Sequence, residues 1–333
     1  MDNAIQQKFF QHIKGKLPGH ISFVDEIAEL LTISNDSAYR RIRAEKPITL
    51  GEVTLLCNHY KISIDQFINV DSESFVFSGK INHGLENSFE NYMNDLEDNF
   101  KFFNSFTEKH LYTLLKDIPP FVHFQIPELA AFKFFFWSKS ILHDETLRGV
   151  KFDMYDSRYE KFITQGKRIV KLYTKIPNTE IWNIDSINTT LRQINFHYEA
   201  GSFINNEDVI TIYQKVEELV THIETQAESG VKFLIGEKPE NDASEFRMFI
   251  NELILGDNTN LAELDGNRLT FLNHSVLYFV HTSDKRFNES MFANLQNLLR
   301  KSTAINVVGE KERVRFFNRL RDKISYHKSL IKN

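Results

Sequence analysis

Between positions 40 and 46 stand Arg40, Arg41, Arg43 and Lys46, with Glu45 the only acid among them. A helix over 35–45 presents Asn35, Ser37, Tyr39, Arg40 and Arg43 outward and turns Ala38 and Ile42 inward. Arginine pairs bidentately with guanine and asparagine with adenine, while Ser and Tyr reach bases or phosphates. Ser34 precedes this helix as its cap. Thr49 and the amides opening the next helix are placed to accept a phosphate, because helix amino ends attract anions. The chemistry implied is recognition of double-stranded DNA. Covalent catalysis has less to stand on: the chain lacks a Gly-rich phosphate loop, H-E-x-x-H, G-x-S-x-G and any paired-Cys zinc pattern. His274 and His281, seven positions apart on an expected strand, would face opposite sides. No enzyme activity, metal or cofactor is expected.

The elements that must position the arginines lie in 23–44 (FVDEIAELLTISNDSAYRRIRA). Ile27, Ala28 and Leu31 face inward on the first helix, and Ile33 plugs the turn. Small Ala28 and Ala38 let two helices cross closely, the spacing of a helix-turn-helix. Ser22, Ser34, Thr49 and Ser63 each stand where a side-chain oxygen would cap a helix; Thr49 with Glu52 makes a capping box, and Ser22 and Ser63 approximate one. The implied helices are 3–16, 23–31, 35–45, 50–60 and 64–69.

Residues 21–68 resemble the Cro/C1-type, phage-repressor-like helix-turn-helix domains found at the N-terminus of many bacterial transcriptional regulators. The residues that carry the likeness are IAELLTISNDSAYRRI (27–42) and PITLGEVTLLCNHYKISIDQFI (47–68). The resemblance implies a recognition helix starting near Asn35, a fourth helix and a short closing helix. Three positions depart from the family: Thr32 replaces the usual turn Gly, Arg41 a usual apolar residue, and Ile42 a frequent Glu. The departures at 41 and 42 imply a rotated or extended recognition helix. The segment LRKSTAINVVGEKERVRFFNRLRDKI (299–324) resembles the C-terminus of uncharacterised proteins with the same arrangement.

Beyond residue 70 the texture changes. A linker is expected at 71–84. Leu85, Phe89, Tyr92, Leu96, Phe100 and Phe103 then form one apolar helical stripe. A helical region is expected over 85–228, for dimerisation or sensing. It includes 207–229, where Val209, Ile212, Val216, Leu219, Val220 and Ile223 share a face before Gly230. An α+β domain is expected over 229–333. Its strands are read at 231–236, 261–264, 268–272, 275–282 and 304–308, with Asp265-Gly266 as a hairpin turn. Its helices are read at 243–255, 288–301 and, basic and amphipathic, at 310–327. The fold class is therefore mainly α: a five-helix helix-turn-helix bundle (1–70), a central helical region and an α+β domain with a small sheet.

Composition bounds these readings. The 333 residues include 30 Phe but only 13 Gly and 7 Pro, which favours long helices over a turn-rich β fold. Cys57 is the only cysteine, so an internal disulfide is excluded; it is expected to pack in the small bundle. The N-terminus lacks a signal-peptide core. The apolar run 129–142 is too short to span a bilayer and contains Lys133 and Lys139. A cytoplasmic protein without membrane association is expected. The net charge of −5 points away from nucleic acid, but it averages acidic helices with the basic face near residue 40 and a basic terminal helix. The expectation is a sequence-specific transcriptional regulator, homodimeric, with a small-molecule or protein effector. The alternative is an interaction protein whose small bundle docks a protein partner.

Overall fold

Ser34, Thr49, Asn205 and Asp284 each stand just before a helix and accept a hydrogen bond from the amide three residues on. These helix starts are thus written locally in side-chain oxygens. Ser22 occupies the same position but makes no such side-chain bond. The computed structural model describes residues 3–18, 21–68, 75–79, 88–253, 256–273 and 278–331. Leu85, His274, most of the expected linker and the start of the strand read at 275–282 lie outside them.

In chain order the helices are Asn3–Lys14 (α1), Phe23–Leu31 (α2), Asn35–Ile42 (α3), Leu50–Tyr60 (α4), Asp65–Ile68 (α5), Ser88–Asn104 (α6), Pro127–Phe136 (α7), Glu160–Tyr173 (α8), Asn188–Glu199 (α9), Asn206–Ser229 (α10), Lys285–Arg300 (α11) and Glu310–Ser329 (α12). The strands are Ser78–Gly79 (β1), Lys109–Leu115 (β2), Asn178–Trp182 (β3), Phe246–Ile250 (β4), Thr259–Leu264 (β5), Asn267–Asn273 (β6), Phe279–Thr282 (β7) and Thr303–Ala304 (β8). They form one mixed sheet in the order β1-β7-β6-β5-β2-β3-β4-β8. β2–β3 and β3–β4 pair in parallel, and the remaining pairs are antiparallel. The chain is mainly helical around this sheet.

Five expectations are corrected. The central region is not purely helical, since β2 and β3 lie at the middle of the sheet. Residue 228, read as a boundary, falls within one sheet and one core that runs from Phe89 to Ile331. β3 is buried along its whole length, so it lacks the alternation that announces a half-exposed strand. The helix read at 243–255 is instead β4 over its middle, with Phe246 and Met248 buried and Arg247 outward. The strand read at 231–236 is irregular: Val231 makes a single bridge to Glu245, and the Phe233 carbonyl accepts from the side chains of His222 and Gln226. Part of the expected linker belongs to the sheet edge: β1 pairs with β7, and Phe75 and Phe77 pack on Phe287.

Other readings hold. The α10 row from Val209 to Ile223 is buried, and Gly230 ends the helix at φ 71°, a left-handed conformation a side chain would strain. Phe89, Tyr92, Leu96, Phe100 and Phe103 of α6 face the core. Asp265 and Gly266, both at positive φ, turn β5 into β6. Cys57, half-buried, packs against the core of the first five helices. The run 129–142 forms α7 and one π turn, Trp137–Ile141. No described helix is long and apolar enough to cross a membrane. α11 covers the opposite sheet face, where Ile181 and Leu261 meet Phe292 and Leu295.

Candidate nucleic-acid interface

The first five helices share a core of their own, which includes Phe9, Phe10, Ile13, Ile27, Ala28, Ala38, Ile48 and Leu56. Leu31, Ile33 and Ile42 pack half-buried against it. α2 ends at Thr32 with φ 55° and ψ 47°, a left-handed turn that costs a non-glycine residue roughly 1–2 kcal/mol. The Ile33 amide then donates to the Ala28 carbonyl, and Ser34 caps α3 through the Ser37 amide at 3.3 Å. Asn35 donates its side-chain amide to Asp25 Oδ1 at 2.7 Å. That bond ties the amino end of α3 to α2 and uses one of the two Asn35 amide hydrogens.

The exposed face of α3 carries Tyr39, Arg40 and, at its carboxyl end, Arg43. Arg43 lies over the Tyr39 ring, donates to its hydroxyl at 3.3 Å and approaches Glu45 at 3.2 Å. Arg40 forms no side-chain hydrogen bond or ion pair among the described residues, and its guanidinium stands in solvent. Ser37 is half-buried.

Arg41 does not join this face. It is 6% exposed, donates to the Ser37 carbonyl and forms an ion pair with Glu52 at 2.7 Å. Ala38 and Arg41 are three positions apart, so one helical face buries both. Burial by itself would raise the Glu52 carboxyl; hydrogen bonds from Arg41 and Thr49 outweigh it and hold the group below the usual carboxylate range. Thr49 and Glu52 complete the capping box, each accepting from the other's backbone amide. A phosphate approaching Thr49 therefore meets the Thr49 and Glu52 amides already engaged and the Glu52 carboxylate beside them.

α3 is also shorter than expected. After Ile42 the chain turns through Ala44 at φ 59°, which places the exposed Lys46 beyond the helix. Gln6 of α1 fixes this turn: its amide nitrogen donates to the Arg41 and Lys46 carbonyls, both at 2.8 Å, and its oxygen accepts from the Ile48 amide at 3.0 Å. Nothing in the sequence marks Gln6, because its partners lie far away along the chain. Replacing Gln6 with Ala leaves three backbone groups without their partner, each costing roughly 1–3 kcal/mol when buried. The expected result is a bundle destabilised by about 3 kcal/mol or more, read as accelerated exchange of the Ile48 amide; unchanged exchange would refute it.

The basic terminal helix is largely neutralised by its own fold. Arg313 is buried and donates to the Ile305 carbonyl; Arg319, Arg321, Lys323 and Lys328 pair with Glu252, Glu224, Asp185 and Glu217. Arg40, Arg43 and Lys46 are exposed cations on and just beyond α3. With Tyr39, they can neutralise phosphates and donate to base edges. Among the described residues no group of His, Cys, Asp and Glu is arranged to hold a metal. Comparison with known proteins finds no matching family model, no matching curated relative and no matching solved structure.

Proposed function

We propose that this chain is a sequence-specific DNA-binding regulator. In this reading residues 3–68 form a Cro/C1-type helix-turn-helix domain and α3 enters the major groove. A homodimer places two such helices in successive grooves of a roughly palindromic operator. The remainder supplies dimerisation and the response to a small-molecule or protein effector. The observation that carries the reading is the division of α3. Its inner face is locked by Ala38, the Arg41–Glu52 pair and Gln6, while Tyr39, Arg40 and Arg43 face outward from a capped helix. A rigidly held helix with arginines on its free face is what base readout requires.

Selection from random duplexes, followed by salt titration of the winning sequence, tests this. Enrichment of one motif is expected, with log affinity falling by roughly 0.9 per neutralised phosphate for each tenfold rise in salt. No enriched motif, or affinity indifferent to salt, would overturn it. A second reading, the bundle as a protein-docking module, draws on Leu50 and Leu55, both exposed on α4. A salt-insensitive complex with a protein partner and none with DNA would favour it.

A further inference from the structure

Lys133 lies inside the apolar helix α7 and is 3% exposed. Its ammonium donates to Thr190 Oγ1 at 3.0 Å and to Gln193 Oε1 at 2.7 Å, both on α9. The Thr190 hydroxyl is also 3.1 Å from His123 Nε2, and His123 Nδ1 is 3.2 Å from the Pro120 carbonyl. One tautomer satisfies the whole chain. His123 Nδ1–H donates to Pro120, Nε2 accepts from Thr190, and the Thr190 oxygen accepts from Lys133. The protonated amine then has a third N–H and a full charge, and among the described residues no carboxylate forms an ion pair with it. Asp117 attracts it only from farther off and accepts from Thr189; Lys116 pairs with Asp257 at 2.7 Å.

Lys133, Thr190 and Gln193 line a cavity of 510 Å³ with Trp137, Phe136 and Ile141. Its place in the sheet is an independent observation. Lys116, Asp117 and Ile118 in its wall directly follow β2, and α9 follows β3, so the cavity opens at the carboxyl ends of two parallel strands. β2 is also where the sheet changes from parallel to antiparallel pairing. Crevices at the carboxyl ends of parallel strands are where open α/β sheets hold ligands.

We infer that this cavity binds a small monocarboxylate, its carboxylate on Lys133 Nζ and the amide hydrogens of Gln193, its apolar part against Trp137 and Ile141. The site is independent of the DNA-binding reading. Burial also lowers the Lys133 amine to about 7, so an arriving carboxylate draws a proton in with it. The ionisable groups around it act in known directions. His123 is held well below its ordinary value by burial and then by Lys133, Asp117 attracts the amine, Lys116 is paired, and the α9 side contributes only Thr189, Thr190 and Gln193.

Calorimetry on the full chain, with phenylacetate and hexanoate against phenylacetamide and hexanamide, tests the inference. At least one carboxylate is expected to bind with proton uptake at neutral pH, weakening by up to about tenfold per unit above roughly pH 8, and its amide to bind at least about tenfold more weakly. Lys133→Met is expected to abolish carboxylate binding without lowering the melting temperature. If that variant melts early, Lys133→Gln is the one to read. The inference is overturned if neither carboxylate binds at about 10 mM, if amides bind equally well, or if the folded variant binds as the parent does.

Discussion

Acidification from pH 7 to pH 5 is expected to remove about 4 kcal/mol of stability through two histidines, before most carboxylates titrate. Burial, reinforced by Lys16, pushes the imidazoles of His12 and His281 down to about 4, against an ordinary 6.5. Between those values the unfolded chain binds protons that the folded chain refuses, so stability falls as the pH falls through that window. Each contributes about 2 kcal/mol at pH 5, at 1.36 kcal/mol per pKa unit. His197, lowered to about 4 by burial and by Lys139, adds the same sign. Upward from pH 7 the trend continues. Lys133 is lowered from 10.5 to about 7, so the unfolded chain again holds the extra proton, and stability rises by about 2 kcal/mol between pH 7 and 9. Lys232 works in the same direction; its buried amine sits 3.3 Å from the centre of the Tyr173 ring and 3.9 Å from Glu180. Beyond about pH 10 the slope reverses. Burial pushes the phenols of Tyr92 and Tyr173 up, so unfolded tyrosines ionise first. Urea unfolding at constant ionic strength should place the maximum near pH 10; a flat profile from about pH 5 to 9 would show that these side chains are hydrated.

Where a few neighbouring residues decide the local outcome, the sequence was legible. Ser34 and Thr49 cap as their spacing implies, Ala28 and Ala38 are buried together, and Asp265-Gly266 turns the hairpin. What failed depends on partners distant along the chain. Arg41 reads as one of a run of cations at a usually apolar position, and what fills that position is settled only by Glu52 on the next helix. Gln6 reads as an ordinary polar residue until three backbone groups converge on it. β3 escapes because pairing in the middle of a sheet permits burial on both faces, which erases the two-residue period. Lys133 looked like a reason to exclude a membrane span, yet α9 supplies the hydroxyl and amide that let α7 bury it. Of the residues read as a DNA face, Tyr39, Arg40 and Arg43 are exposed, Arg41 is buried, and Asn35 and Thr49 already hold hydrogen bonds within the fold.

Replacing Arg40 and Arg43 together with Ala is expected to weaken operator binding by at least about a hundredfold while leaving the thermal transition nearly unchanged. A good Arg–base contact is worth about 1–3 kcal/mol of discrimination, and a dimer makes each contact twice. Stability should hold because neither side chain is buried. Arg40 has no side-chain partner among the described residues, and Arg43 meets only Tyr39 and Glu45 at the surface, where such pairs contribute under about 1 kcal/mol. Arg41→Ala is the informative contrast. It leaves Glu52 without its ion pair and opens space beside Ala38, so its loss of binding should track a loss of fold. Lys46→Ala should weaken all duplexes alike and reduce the salt slope by about one per site, as a phosphate contact does. The three variants therefore separate base readout, structural support and charge. If the Arg40/Arg43 double variant binds the selected operator as tightly as the parent while remaining folded, α3 is not the reading helix. DNA would then have to meet another surface, and the basic terminal helix is poorly suited, since four of its cations are already paired within the fold.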